Sequence, residues 1–212
     1  MILFSTLSTG DLSLLRQAMP FKVEPTIFAM FPGLRLAVSV ARSVDNTNKD
    51  PRLTTAWKHV WNSIPDQIGT FDRQSHPRIK PWREAWKRIG ISSKKFPCSI
   101  ESLVKRGLKG GEPFSINPIV DFYNTVSLHH IAPAGAFDLA KINNNLELRL
   151  TRSSDTFQAL DEQYPEKVPE GEAAYATGTV VLTRHFVWKQ SRQALVQPTT
   201  SEVFLVSEIL GD

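Results

Sequence analysis

Residues 115–142 read SINPIVDFYNTVSLHHIAPAGAFDLAKI. Asn117 followed by Pro118 predicts a helix start. An asparagine side chain accepts a hydrogen bond from a first-turn N–H, and proline loses nothing at the first helical position. Ile116, Ile119, Val120, Tyr123, Val126 and His130 then recur at helical spacing and predict a buried stripe. Asp121, Asn124 and Leu128 fall on a different face. Pro133 is expected to end the helix, with Ala134–Gly135 turning the chain into Ala136-Phe137-Asp138-Leu139. A buried helix with an acid and an amide on one side is either a binding wall or a core helix with satisfied polar groups. Both readings stand at this point.

Upstream of this stretch the chain turns helical. Residues 27–42 are apolar and β-branched, and Pro32–Gly33 divides them into two expected strands. Asp50–Pro51 predicts a helix burying Leu53, Ala56, Trp57, Val60, Trp61 and Ile64, stopped by Pro65. Trp57 and Trp61 read as core. A second helix is expected from Pro81 to Ile89, with Trp82, Ala85 and Trp86 inward and Arg83, Lys87 and Arg88 outward. Gly90 is its natural stop. The exposed connector Ser92-Ser93-Lys94-Lys95-Phe96-Pro97 leads to a third helix capped by Ser99. That helix ends in Lys105, Arg106 and Lys109, cations that suit its dipole.

Downstream the pattern becomes that of strands. Asn143–Asn145 reads as a turn and Leu146–Leu150 alternates as a strand. Further strands are expected at 157–160, at 173–184 around Gly178, and at 186–188, with a strand or short helix at 202–210. Strands, then helices, then strands favour α+β over a doubly wound sheet.

The 212 residues fit one domain, 41% hydrophobic and 22% charged, as in an ordinary globular protein. No apolar run is long enough to span a bilayer. The start, MILFSTLSTGDLSLLRQ, lacks a basic n-region and reaches Asp11 too early for a secretory signal, so a cytoplasmic protein is expected. The net charge of +4 hides an asymmetry. From Arg73 to Lys109 eleven Lys/Arg face two acids, a local +9, while 1–72 sum to +1 and 110–212 to −6. Such a segment is either a docking surface for a polyanion or a solvated cationic face.

Nucleophilic and metal chemistry find little support. There is no phosphate-cradling glycine loop, no G-x-S-x-G and no H-E-x-x-H. A lone Cys98 excludes an internal disulfide and a zinc cluster. His129 and His130, adjacent on a helix, point about 100° apart and cannot share one metal. No metal and no cofactor are expected, and no catalytic residue announces itself.

The ordered pattern Val120-Asp121-x-x-Asn124-x-x-x-Leu128, Pro133, then Ala136-Phe137-Asp138-Leu139-x-Lys141-Ile142 resembles the B3/B4 domain of the bacterial phenylalanyl-tRNA synthetase beta subunit. Pro81-Trp82-Arg83-x-Ala85 and Ser99-Ile100-Glu101-x-Leu103 resemble the freestanding B3/B4 proteins. The resemblance covers about residues 76–190. It implies an α+β, B3/B4-type fold, with helices packed on mixed or antiparallel sheets, as a single domain over 1–212. It also implies editing. The synthetase domain hydrolyses the ester of wrongly charged tRNA, and freestanding relatives act as trans-editing deacylases, one of them removing canavanine from tRNA(Arg). An aminoacyl ester is already activated and has a ribose hydroxyl beside it. Positioning a water and stabilising an oxyanion then suffice, which suits a chain without a triad.

For an edited amino acid with a cationic side chain, the candidate pocket residues are Asp121, Asn124 and Glu172, with Tyr175 close to Glu172 in sequence. Arg184 and Trp188 would be the pocket wall or contacts to the tRNA end. Carboxylates and acceptors at these positions suit a cationic amino-acid side chain. Each has a structural alternative: Asp121 in a helix-end interaction, Asn124 in the core, Glu172 at the surface, Arg184 and Trp188 in packing. Lys94, Lys95, Lys105, Arg106 and Lys109 would hold tRNA phosphates. The synthetase has a histidine directly before Ala-Phe-Asp-Leu, where this chain has Gly135. The rival expectations are a non-catalytic RNA-binding module and a small-molecule amino-acid-binding protein.

Overall fold

A computed structural model describes residues 5–7, 21–143 and 145–211. The expected absence of a signal at the N-terminus falls almost wholly outside these residues, as does Asn144 of the expected 143–145 turn. The N-terminal half holds β1 (Ser5–Leu7), β2 (Phe21–Val23), α1 (Pro25–Met30), β3 (Arg35–Arg42), α2 (Pro51–Asn62) and α3 (Ile64–Ile68). Next come α4 (Lys80–Arg88), α5 (Ser99–Gly107), α6 (Pro118–His130), β4 (Ala134–Asp138) and β5 (Leu146–Leu150). The chain closes with β6 (Thr156–Phe157), β7 (Glu166–Lys167), β8 (Ala173–Thr177), β9 (Val180–Arg184), β10 (Lys189–Gln190) and β11 (Glu202–Ile209).

Two sheets carry the fold. The first is antiparallel, in the order β1-β3-β11-β4. The second runs β2-β5-β8-β9-β6-β7 with β10 also on β9, and is mixed because β2 lies parallel to β5 and β6 parallel to β9. This is the α+β arrangement of helices on antiparallel and mixed sheets that the sequence implies.

Strand alternation decides what faces what. On β11, Phe204, Val206 and Glu208 share one buried face. Phe204 lies 5.0 Å from Phe21 of β2, and Phe137 of β4 lies 5.3 Å from Tyr175 of β8. The sheets therefore meet through aromatic rings, each worth about 1.5–3 kcal/mol when fully buried. The helices close over this core with Trp57 and Trp61 from α2 and Trp82 and Trp86 from α4. The indoles of Trp57, Trp61 and Trp86 donate to the carbonyls of Phe114, Gly111 and Phe96 at 2.8, 2.9 and 2.8 Å. Buried polar edges are thereby satisfied.

Several local expectations change. The first half of 27–42 is the end of α1 rather than a strand: Pro25 starts a helix, and six residues are too few for periodicity to separate the two states. The expected strand at 186–188 is a turn. His185 and Phe186 take left-handed φ of 44° and 37°, a conformation costing about 1–2 kcal/mol per residue. Burial of the Phe186 ring against Phe31, Trp82 and Trp86 offsets that cost. Finally, the stripe on α6 is not the one expected. Ile116 precedes the helix and is 62% exposed, His130 is exposed, and Asp121, Ser127 and Leu128 are buried. A helix packed against α2, α5 and β4 has no single inward face. The turn expected at Ala134–Gly135 comes earlier, at Ile131, whose left-handed φ of 47° caps the helix, so Ala134 and Gly135 already belong to β4.

Candidate functional site

The site is organised around α6. Asn117 caps it, its side chain accepting from Val120 N at 3.0 Å. Asp121 accepts from the Ser115 hydroxyl and, at 3.0 Å, from Ile116 N, which ties the preceding loop to the first turn. At the other end the Ser127 hydroxyl donates to Ala132 O at 2.6 Å. A helix fixed at both ends holds Asn124 at a constant place. There it lines two adjoining cavities of about 200 and 250 Å³, which share Ser99, Asn124, Ala134 and Trp188.

The first cavity runs inward between the sheets. Its polar lining includes Asn124, Tyr175, Thr183, Gln190 and Glu208, and Gly135 of β4 forms part of its wall. The Tyr175 hydroxyl donates to Glu208 Oε1 at 2.7 Å and so bridges β8 to β11. Gln190 donates to Ala136 O at 3.0 Å. The Asn124 amide has no protein partner among the described residues and is available to a ligand. The second cavity runs outward along the Ser99, Ser102, Leu103 and Arg106 stripe of α5. Its cation, Arg106, lies with its guanidinium carbon 3.9 Å from the Phe114 ring centre. Asn124 thus stands between an acid at depth and a cation at the surface.

Burial sets the protonation states. Glu208 is fully enclosed, and desolvation lifts its carboxyl to about 8, against a lowering by the Tyr175 hydrogen bond. At neutral pH it is mostly a neutral acid. Burial, and then the Glu208 charge, push the Tyr175 phenol well above 10. Cys98, buried beneath the N-terminus of α5, has its thiol pushed up to about 12 by desolvation, which keeps it from acting as a thiolate nucleophile. Among the described residues no cluster of three His, Cys, Asp or Glu can hold a metal. The rings of His129 and His130 sit edge to face at the exposed end of α6.

The structure brings together Asn124, Tyr175 and Trp188 at the inner cavity. It does not bring Asp121 or Glu172 there. Asp121 is committed to the start of α6, as described. Glu172 is buried behind the cavity wall and accepts from Arg184 Nε at 3.1 Å and NH2 at 2.7 Å, and from His185 N at 2.7 Å. Arg184 in turn lies 5.7 Å from the Trp188 ring, so this cluster backs the wall that Trp188 forms. The acid at the cavity floor is Glu208, which the sequence reading passed over. Its signal was present: in VFLVSEI, strand alternation puts the lone glutamate on the same face as Phe204 and Val206.

The cations of 73–109 fall into two groups. Arg73 and Arg83 meet at Glu101, and Lys80 pairs with Glu84. The other eight, Arg78, Lys87, Arg88, Lys94, Lys95, Lys105, Arg106 and Lys109, are exposed and have no ion-pair partner among the described residues.

An α+β domain with an acid-floored cavity beneath a cationic surface is the class these features define. Residues 81–212 match the B3/4 domain family, well over half of the chain, and the chain belongs to that family. The phenylalanine–tRNA ligase beta subunit of Legionella pneumophila (strain Paris) is 28% identical over 128 residues, 59% of this chain but 15% of that protein. The chain therefore corresponds to a small part of that relative. A crystallised N-terminal fragment of the phenylalanyl-tRNA synthetase beta subunit from Pyrococcus horikoshii aligns with a TM-score of 0.44 and 10% identity, over 90% of this chain and 43% of the fragment. No helix among the described residues is long and apolar enough to cross a membrane.

Proposed function

We propose that this protein hydrolyses the ester bond of a mischarged aminoacyl-tRNA, with canavanyl-tRNA(Arg) as its substrate. The observation that carries this reading is the pair of cavities sharing Asn124, which connect Glu208 at depth to Arg106 at the surface. An inner cavity of about 200 Å³ is smaller than the roughly 300–1,000 Å³ of pockets for drug-sized ligands and suits one amino-acid side chain. Membership of the B3/4 family and the likeness to a tRNA ligase subunit support tRNA as the carrier. On this reading the chain works as a single B3/4-type unit in the cytoplasm.

The chemistry asked of the protein is modest. The ester is activated, and the adjacent ribose hydroxyl can help to direct a water. The half-buried Asn124 amide sits where the inner cavity opens to the outer one, in place to orient the ester, and Trp188 closes the side. Glu208 selects the side chain. Canavanine carries an oxygen next to its guanidino group, which lowers its basicity, so it reaches a neutral form near physiological pH. Arginine stays charged. A buried acid that titrates near 8 meets canavanine proton for proton, whereas arginine must enter as a permanent cation against a largely protonated acid.

The test is deacylation of a panel of mischarged tRNAs, including canavanyl-tRNA(Arg), with correctly charged arginyl-tRNA(Arg) as the counter-substrate. Faster ester loss for the canavanyl species, sparing the arginyl one, is expected. Ester lifetimes at the spontaneous value across the panel, with tRNA still bound, would make this a binding module instead.

A further inference from the structure

A second feature of the cationic surface lies outside the two cavities. Between α4 and the connector that follows it is an open depression of about 620 Å³, ringed by Lys80, Arg83, Lys87, Ser92 and Lys94, with Glu84 as its acid. Lys80, Arg83, Glu84 and Lys87 follow the i, i+3, i+4, i+7 rule and form one stripe on α4. Lys80 and Lys87 are then about 10 Å apart along the helix axis. The opposite face of α4 buries Trp82, Ala85 and Trp86, so Lys80, Glu84 and Lys87 are exposed, while Arg83 is half-buried on Glu101. The connector is equally fixed: Phe96 N and Lys95 N donate to Ser92 O at 2.9 and 3.1 Å, and Trp86 Nε1 holds Phe96 O.

This connector joins the depression to the cavity. Phe96 packs 4.7 Å from Trp188, a residue that lines both cavities. Lys94, at the rim of the depression, is two residues away, at most about 7 Å along the chain. A polymer whose end enters the cavity past Trp188 would have its next charged groups over the connector and then over α4. Lys87 and Lys94 have no anionic partner in the protein among the described residues. Carboxylates from an acidic peptide would offer charge, but the spacing and the link to the cavity mouth favour a phosphate chain.

We propose that the α4–connector depression is a seat for RNA backbone phosphates, a second anchor for the nucleic acid whose aminoacylated end occupies the cavity. The proposal rests on the reading of the chain as an aminoacyl-tRNA hydrolase, and it is tested separately from it. Binding of deacylated bulk tRNA is measured from 50 to 200 mM KCl for the wild type, for a Lys80→Ala, Lys87→Ala, Lys94→Ala variant, and for a control with Lys22→Ala, Lys141→Ala and Lys167→Ala. Each phosphate contact adds about 0.7–0.9 to the slope of log affinity against log salt, so the first variant should lose about 2–3 from that slope and at least about tenfold in affinity at 100 mM. The control should lose little of either. All six lysines are exposed, and a thermal melt verifies that both variants fold.

A slope and affinity within twofold of wild type in the α4 variant, or an equal loss in the control, overturns the proposal. Hydrolysis of canavanine esterified to adenosine alone, which reaches the cavity but not the depression, reports on the reading of function. If the depression acts only on the polymer, the α4 variant hydrolyses this short ester at the wild-type rate. If no protein hydrolyses it while the tRNA slope still falls, the hydrolase reading fails and the phosphate seat stands.

Discussion

Glu172 and Glu208 are both buried, 7% and 3% exposed, and their surroundings are opposite. Glu172 meets the Arg184 guanidinium and the His185 N–H, so its charge is neutralised within the protein. Glu208 meets a phenol and, among the described residues, no cation. A buried acid with its own cation belongs to the framework, as with Asp155 under Arg149 and Glu101 under Arg83. A buried acid without one, facing a cavity, keeps its partner position open for a ligand. Burial alone therefore does not distinguish structure from function; an acid that lacks both a cation and backbone N–H donors from a neighbouring loop, and that faces a cavity, does.

The sharpest way to break this contrast is to neutralise each acid in turn. Glu172→Gln leaves the Arg184 guanidinium, whose side chain is 14% exposed, with only the exposed Glu166 carboxylate at 3.5 Å, and should cost about 3 kcal/mol of stability by urea unfolding. Glu208→Gln should cost less than about 1 kcal/mol near pH 4.5, where the carboxyl is largely protonated and the amide oxygen can still accept from Tyr175, and should become stabilising at pH 7, where the unfolded wild type has released the proton that the folded one keeps. Its effect falls on catalysis instead. Loss of a hydrogen bond to a charged group is worth about 1.5–3 kcal/mol, so canavanyl-tRNA(Arg) hydrolysis should drop by roughly 10- to 100-fold.

Glu208 also gives the fold a pH response. The folded state holds the Glu208 proton up to about 8, whereas the unfolded chain releases it near 4.5. The raised value means that this stabilisation is fully present below 4.5 and is lost as pH rises through 8. Stability should therefore fall between about pH 5 and 8, by up to about 1.4 kcal/mol per pH unit, and Glu208→Gln should remove that slope. Denaturant midpoints across this range check it. The smallest effect is at Gly135, where an added Cβ meets nothing within 4 Å. Gly135→Ala should fold normally and gain up to about 1 kcal/mol through the unfolded state. Its methyl enters space bordering the cavity, so it should raise KM for the aminoacyl ester with little change in kcat.

Much of this was legible in the sequence, for physical reasons that differ by region. The start of α6 was readable because Asn117 and Pro118 act locally. The β8–β9 hairpin was readable because alternation around Gly178 is local as well. The cationic surface followed from counting charge. What depended on tertiary packing was not readable. Asp121 and Asn124 lie three residues apart, yet a helix packed on several sides sends one into a loop contact and the other into a cavity. Phe186 looked like a strand residue because its ring is apolar, while the backbone that buries it is left-handed. Glu208 required the register of β11 to be fixed first, since a one-residue slip would have placed it in solvent.

The central claim is that the Glu208 carboxyl receives the side chain of the esterified amino acid. It is tested most directly by following the Glu208 side-chain carboxyl by 13C NMR against pH, with and without an amide-linked, non-hydrolysable analogue of canavanyl-adenosine. The account predicts a free midpoint near 8 that moves clearly downward when the analogue binds, as the acid ionises against the entering guanidino group. A Glu208 midpoint that stays unchanged while the analogue is demonstrably bound would contradict it.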